Sequence, residues 1–328
     1  MPDVVVDAHH HLWVRDRTPQ PWVDPATMAA IDADFTPADL RAAATGVDAT
    51  VVVQTVSRWA ETVDLLATAA SAEGRAAGIA GVVGWADLFA PDLADRLAAL
   101  RAGPGGERLV GVRTMVQDET DPAYLDRPDV RAGIAAVGAV GLPFDLVVRD
   151  HQLASCARLA SALPDVTFVL DHLGKPPVAA AMSGGMSGGM PGGVSGDPSA
   201  PDAWRRDLAD LAARPNVVAK LSGLVTEADW DRWTVADLRP VADHALDVFG
   251  PGRLMFGSDW PVCLLASRYD RWLDAARELV AGLTGDERAA VLAGTATRTY
   301  RLELGPSTSR PAPATAPATA PAHQEDPL

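Results

Sequence analysis

Short runs of β-branched and other apolar residues recur along the chain, and longer Ala-, Leu- and Arg-rich stretches with helical spacing separate them. Eight such runs stand out, at 4–6, 50–53, 79–83, 109–112, 144–148, 166–170, 217–220 and 254–256. Each is short and nearly continuous in apolar character, as expected of a strand covered on both faces. The intervening stretches are long enough for crossover helices. One is explicit: Thr36 offers an N-cap, Pro37 the first helical position, Leu40 and Ala43 a buried side, and Gly46 an end. Strand and helix in alternation predict a parallel sheet. Eight repeats predict closure into a (β/α)8 barrel, with an open doubly wound sheet as the alternative.

Two segments break the pattern. Residues 179–201 are a low-complexity stretch of Gly, Met and Ser that follows the sixth strand. So much glycine makes ordering entropically costly, so a loop is expected there, either a lid over the site or an inert insertion. Residues 305–328 repeat Pro, Ala and Thr and are expected to be a disordered tail. The folded part is therefore expected to be one domain over 1–304, a usual size for a single barrel.

Charge narrows the partners. With 43 acidic side chains against 28 basic ones the net charge is −15. A field of that sign repels phosphate, so neither nucleic acid nor an anionic membrane is an expected partner. The two cysteines, Cys156 and Cys263, lie far apart and outside any CxxC, as reduced buried thiols do. No basic segment followed by an apolar run opens the chain, and no stretch of 18 uncharged apolar residues occurs. A cytoplasmic enzyme acting on a small molecule is the expectation.

In a barrel, chemistry gathers at the C-terminal ends of the strands. Strand one leads into Asp7-Ala8-His9-His10-His11, strand two into Gln54, strand three into Trp85 and Asp87, and strand four into Arg113. Strand five carries Asp145 and precedes Arg149; strand six runs into Asp171-His172; strand seven holds Lys220 and Ser222; strand eight leads into Ser258-Asp259-Trp260-Pro261. Polar residues at nearly every strand end would be costly in a purely structural barrel. Strand alternation places Asp7, His9 and His11 on one face and His10 on the other. His9 and His11 are then expected to meet His172 and Asp259 inside the barrel. A Gly-x-Ser-x-Gly match at 185–189 falls in the low-complexity stretch, without the strand and helix that a nucleophile elbow needs. Gly174-Lys175 lacks the upstream glycine of a phosphate loop. His151, His244 and His323 are expected outside the site.

These stretches, with Gly111-Val112-Arg113, Phe144-Asp145-Leu146, Asp171-His172-Leu173-Gly174-Lys175-Pro176, Gly257-Ser258-Asp259-Trp260-Pro261 and Gly294-Thr295-Ala296-Thr297-Arg298, resemble the amidohydrolase superfamily. The likeness is to its amidohydrolase-related (amidohydrolase 2) branch, which includes sugar lactonases such as L-fuconolactonase and L-rhamnonolactonase and the 2-pyrone-4,6-dicarboxylate lactonases. It spans residues 6 to about 302. The resemblance implies hydrolysis of a small sugar or dicarboxylate lactone. Asp259 would activate water, and His9, His11 and His172 would stabilise charge on the carbonyl oxygen. Arg113, Lys220, Asp145, Trp85 and Trp260 are the candidates for holding substrate. Metal-rich members of the superfamily carry a His or carboxylated Lys on strand five, where this chain has Asp145, so a binuclear centre is not expected. No cofactor is expected to be required; a single Zn or Mn ion, if bound, would use His9, His11, His172 and Asp259. A metal-dependent decarboxylase of an unsaturated or aromatic acid is the alternative within the superfamily, and a non-catalytic binding protein the alternative outside it.

Overall fold

The apolar runs form one eight-stranded parallel sheet whose strand order is the chain order. The computed structural model describes residues 4–178 and 200–304. The strands are β1 (Val6–His10), β2 (Ala49–Val53), β3 (Ile79–Gly84), β4 (Leu109–Thr114), β5 (Phe144–Leu146), β6 (Phe168–Leu170), β7 (Val217–Leu221) and β8 (Leu254–Phe256). A helix follows each: Pro37–Ala43, Trp59–Ala70, Leu93–Ala102, Pro128–Ala139, Leu153–Ala162, Ala200–Ala212, Val235–Phe249 and Tyr269–Leu279. The expected loop and tail lie outside the described residues, except that Ala200 and Pro201 open a helix. The Gly-x-Ser-x-Gly match and His323 fall outside them too. Among the described residues no helix is long and apolar enough to cross a membrane.

The barrel closes between β8 and β1. His10 and Trp260 bridge in parallel register. The His11 N–H donates to the Trp260 carbonyl at 2.6 Å, and the Asp259 N–H donates to that of His9 at 2.7 Å. Asp7 adds a side-chain stitch. Its carboxylate accepts from the Ser258 N–H at 2.7 Å and from the Tyr269 hydroxyl at 2.8 Å. Inside the barrel, Val6, Ala8, Val51, Val83, Val169 and Met255 pack against Ala293, Ala296 and Tyr300 of the C-terminal segment. Thr295 and Arg298 of that segment bond the carbonyl of Gly252, just before β8, so it plugs the end where strands begin. The outer core joins the strands to buried helix residues such as Leu40, Leu65, Leu97, Ile134 and Leu159. Each such burial contributes about 1.5–3 kcal/mol.

Local capping follows the sequence. Thr36 and Asp39 form a reciprocal capping box at the first helix, which ends at Ala43; Gly46 instead makes the left-handed turn into β2, with φ +80°. Strand boundaries moved where polarity misleads. The strand expected at 4–6 is Val6–His10, because its histidines are buried and bonded to β2. The fifth and sixth strands are shorter than their apolar runs, at Phe144–Leu146 and Phe168–Leu170.

Candidate active site

β1 does not alternate as expected. Its pairing with β2 slips between Asp7 and His10. Such a bulge shifts the side-chain phase by one residue. Val6 and Ala8 join the interior core, while Asp7 turns to the helix layer and Tyr269. His9 and His11 stay on the barrel interior, and His10 faces outward onto Thr50 at 3.0 Å. Burial pulls the His10 imidazole down to about 3, so it packs as a neutral ring.

His9 is the hub. Its Nε2 lies 3.2 Å from His11 Nε2, 3.4 Å from Arg113 Nη1 and 3.7 Å from Asp259 Oδ1. Its Nδ1 lies 3.2 Å from Lys220 Nζ and 3.3 Å from Asp171 Oδ1. His11 places Nδ1 2.8 Å from the Val53 carbonyl, a contact that requires the proton on Nδ1 and leaves Nε2 a lone pair. His11 Nε2 is 3.4 Å from Asp259 Oδ1. His172 Nε2 is 3.8 Å from the same oxygen, and its Nδ1 meets Ser222 Oγ at 2.8 Å. The three expected histidines therefore converge on one carboxylate oxygen of the fourth residue, Asp259.

Unusual backbone holds this arrangement. Asp259, His172, Leu173 and Lys175 all have φ between 51° and 56°. Few non-glycine residues occupy that region, and each costs of order 1 kcal/mol or more, a strain that functional sites concentrate. Two glycines make room. A Cβ on Gly223, itself at φ +65°, would lie 2.6 Å from His172 Nδ1, and one on Gly257 would lie 2.8 Å from His9 Cβ.

Beneath the histidines lies a buried charge network. Lys220 donates to Asp145 Oδ2 at 2.6 Å and contacts Asp171 Oδ1 at 2.8 Å. With His9 Nδ1 these contacts match the three donors of an ammonium. The Tyr300 hydroxyl donates to Asp145 at 2.6 Å, and Arg113 donates to Asp171 Oδ2 at 2.8 Å. Burial raises the Asp145 carboxyl to about 6. Burial also pushes Asp171 up, but Lys220, His9 and Arg113 outweigh it and hold that carboxyl well below its usual value. Burial drives His9 far down and His172 to about 4, so both imidazoles are neutral at pH 7. For Asp259 burial is outweighed by His172 and His11, which keep the carboxyl below its ordinary value and ionised.

A cavity of about 600 Å³ opens above, with His11, His172, Asp259 and Arg113 in its wall. His9 is fully buried behind them. Lys220 and Asp145 do not reach the cavity: they sit mid-strand, fully buried, and pair with each other. Trp260 is also buried, edge-on to Phe35 at 5.2 Å, and Trp85 is not in the wall. The wall instead uses Trp22, Lys175, Arg149 and Glu227. Trp22 comes from the irregular chain between β1 and the first helix, where only an adjacent Pro21 marked it. His151 and His244 stand apart, against Asp150 and the Arg205 carbonyl.

Among the described residues, two sets of donors could hold a cation: His9, His11 and Asp259, or His9, Asp171 and His172. Ligands at ordinary zinc distances lie about 3.3–3.5 Å apart, close to the spacings of the first set. That set fits when His9 Nδ1–H donates to Asp171, freeing Nε2. When Lys220 donates to Nδ1 instead, the proton sits on Nε2 and points at His11.

The sequence profile of the amidohydrolase family matches residues 6–302. An L-fucono-1,5-lactonase of Burkholderia multivorans is 40% identical over 311 residues, covering 90% of this chain and 96% of the relative. An L-fucono-1,5-lactonase of Burkholderia ambifaria is 35% identical, covering 91% and 96%. Crystal structures of a Burkholderia multivorans amidohydrolase, one with HEPES and one with zinc bound, superpose with TM-scores of 0.80 and 0.79 at 38% identity, over 92% of this chain and all of theirs. The barrel, the convergent histidines and these likenesses agree: the chain belongs to the amidohydrolase family.

Proposed function

We propose that the protein is a hydrolase that opens a small lactone, with a sugar 1,5-lactone as its substrate class. The observation that carries this reading is Asp259, an ionised carboxylate in a cavity wall that it shares with His11, His172 and Arg113. Such a group can take a proton from water at neutral pH. The named relatives at 35% and 40% identity are lactonases, which supports the same chemistry over decarboxylation.

In this mechanism Asp259 orients a water and removes its proton as the oxygen attacks the lactone carbonyl. The ring oxygen and carbonyl carbon then separate, and Asp259 returns the proton to the leaving alkoxide. His172 supplies a donor for the developing oxyanion: when the Ser222 hydroxyl donates to Nδ1, the proton on His172 sits on Nε2, toward Asp259 and the cavity. Arg113 adds positive charge at the same point and stays in place through its bond to Asp171. His9 and His11 border the carboxylate oxygen from below, at 3.7 and 3.4 Å.

A zinc or manganese ion held by His9, His11 and Asp259 would polarise the carbonyl and acidify a bound water. Two cations, Lys220 and Arg113, touch the same His9 ring and oppose a dication there. Turnover is therefore proposed to proceed without the metal.

The test is a pH-indicator screen of the purified protein against aldono-lactones and dicarboxylate lactones, because ring opening releases a proton at neutral pH. The reading expects proton release with at least one sugar 1,5-lactone, abolished by His172→Ala. Silence across the panel, or carbon dioxide from unsaturated or aromatic acids, would overturn it.

A further inference from the structure

One carboxylate in the cavity wall has no part in the mechanism above. Glu227 ends the short turn Leu224–Glu227 that leaves β7 through Gly223, and the whole turn is buried. The Thr226 hydroxyl ties the turn to the Gly223 carbonyl at 2.8 Å, which anchors the backbone just before Glu227. Its residue exposure is 3%, yet it lines the cavity. Among the described residues no side chain or backbone N–H bonds to its carboxylate. The carboxylate is therefore turned to the cavity, where a ligand donor can take the place of solvent. Burial pushes the carboxyl above its ordinary value even though Lys175 and Arg149 face it.

The surroundings indicate what it would bind. Lys175 offers a donor in the same wall as this acceptor, a combination that suits a hydroxyl, which gives one hydrogen bond and takes another. A substrate carboxylate would meet Glu227 as a like charge. The wall as a whole holds five carboxylates against three cations, again unfavourable to a dianionic ligand.

We propose that Glu227 is the specificity-determining residue of the cavity: it accepts a hydrogen bond from a ring hydroxyl of the substrate, admits polyhydroxylated lactones and rejects carboxylated ones. The proposal rests on the lactonase reading above, and the experiment separates the two. Wild type, Glu227→Gln and Glu227→Met are assayed on L-fucono-1,5-lactone, on δ-valerolactone, which has the same ring without hydroxyls, and on 2-pyrone-4,6-dicarboxylate. Glu227→Gln should raise KM for the sugar lactone at least tenfold with kcat within about threefold. Its kcat/KM for δ-valerolactone should stay within about twofold of wild type, and the dicarboxylate should gain rather than lose turnover.

Equal losses on the sugar lactone and δ-valerolactone would place Glu227 in the chemistry or in the fold and overturn the proposal, as would no change on either. Thermal melts supply a second readout. Removing an unpaired buried charge should leave Tm of both variants unchanged or higher, and a clear fall would mark a structural role. If wild type opens no lactone, the lactonase reading fails first. Calorimetry with a hydroxylated δ-lactam, which resists opening, then decides Glu227 alone: binding weakened at least fivefold by Glu227→Gln supports it, and equal or absent binding overturns it.

Discussion

Asp259→Asn separates chemistry from architecture more cleanly than any other substitution in this site. Asp259 sits at φ +56°, a region that Asn also enters readily, whereas an alanine would lose the local side-chain compensation. The shortest approach to its Oδ1 among the histidines is 3.4 Å, from His11. The amide therefore removes a charge without breaking a short hydrogen bond, and its backbone N–H keeps the 2.7 Å bond to the His9 carbonyl. Stability should change by less than about 1 kcal/mol. General-base catalysis is worth roughly 10²–10⁴ in rate, and here one group serves both proton transfers, so kcat should fall about 10³-fold, or about 4 kcal/mol of barrier. The assay is indicator-coupled ring opening of the best lactone, with a thermal melt as the folding control. A folded variant that keeps more than about a tenth of wild-type kcat/KM has lost under about 1.4 kcal/mol, and the general-base role would then be wrong.

Other perturbations probe the supporting parts. Lys220→Met strips Asp145 and Asp171 of the ammonium they share and should cost about 3–5 kcal/mol in urea unfolding; a cost below about 1 kcal/mol contradicts the network. Without Lys220 the Asp145 carboxyl, already at about 6, rises further and is neutral in mild acid, so the destabilisation should be smaller at pH 5.5 than at pH 8. Gly223→Ala places a Cβ 2.6 Å from His172 Nδ1 at a left-handed position; kcat should drop about 10²-fold as the ring is displaced, and an unimpaired variant would show that His172 does not need its present place. Chelation that empties the protein of metal by elemental analysis should leave kcat/KM within about twofold, whereas activity lost and then restored by Zn²⁺ alone would make His9, His11 and Asp259 obligatory ligands.

Much of the frame is legible in the sequence because a parallel barrel buries both faces of its strands, and continuous apolar runs betray that directly. The convergence of His9, His11, His172 and Asp259 is legible for a different reason: topology sends every strand's C-terminal end to one mouth. What escapes is set by local geometry. No hydrophobic pattern signals the slip in β1 that parts Asp7 from His9. Lys220 and Asp145 look like rim residues, yet they lie mid-strand and pair below the floor. Tyr300 reaches Asp145 from 155 residues away and Glu227 enters from a turn, so neither announces itself to a reading of neighbours along the chain.

The join between β8 and β1 has a consequence for how the protein comes into being. Asp7 and Ser258, which meet there, are 251 residues apart. At ordinary synthesis rates roughly ten seconds to a minute separates the emergence of His9 from that of Asp259. Through that interval the first strand has no partner on one edge, and its buried aspartate and histidines stand in water or against a chaperone. A ribosome that stalls, or a protease that clips the last strand, leaves a product with an open sheet and half of a site. Lactone turnover is thus a proofreading signal: only a chain finished through β8 and closed on its own beginning can give it.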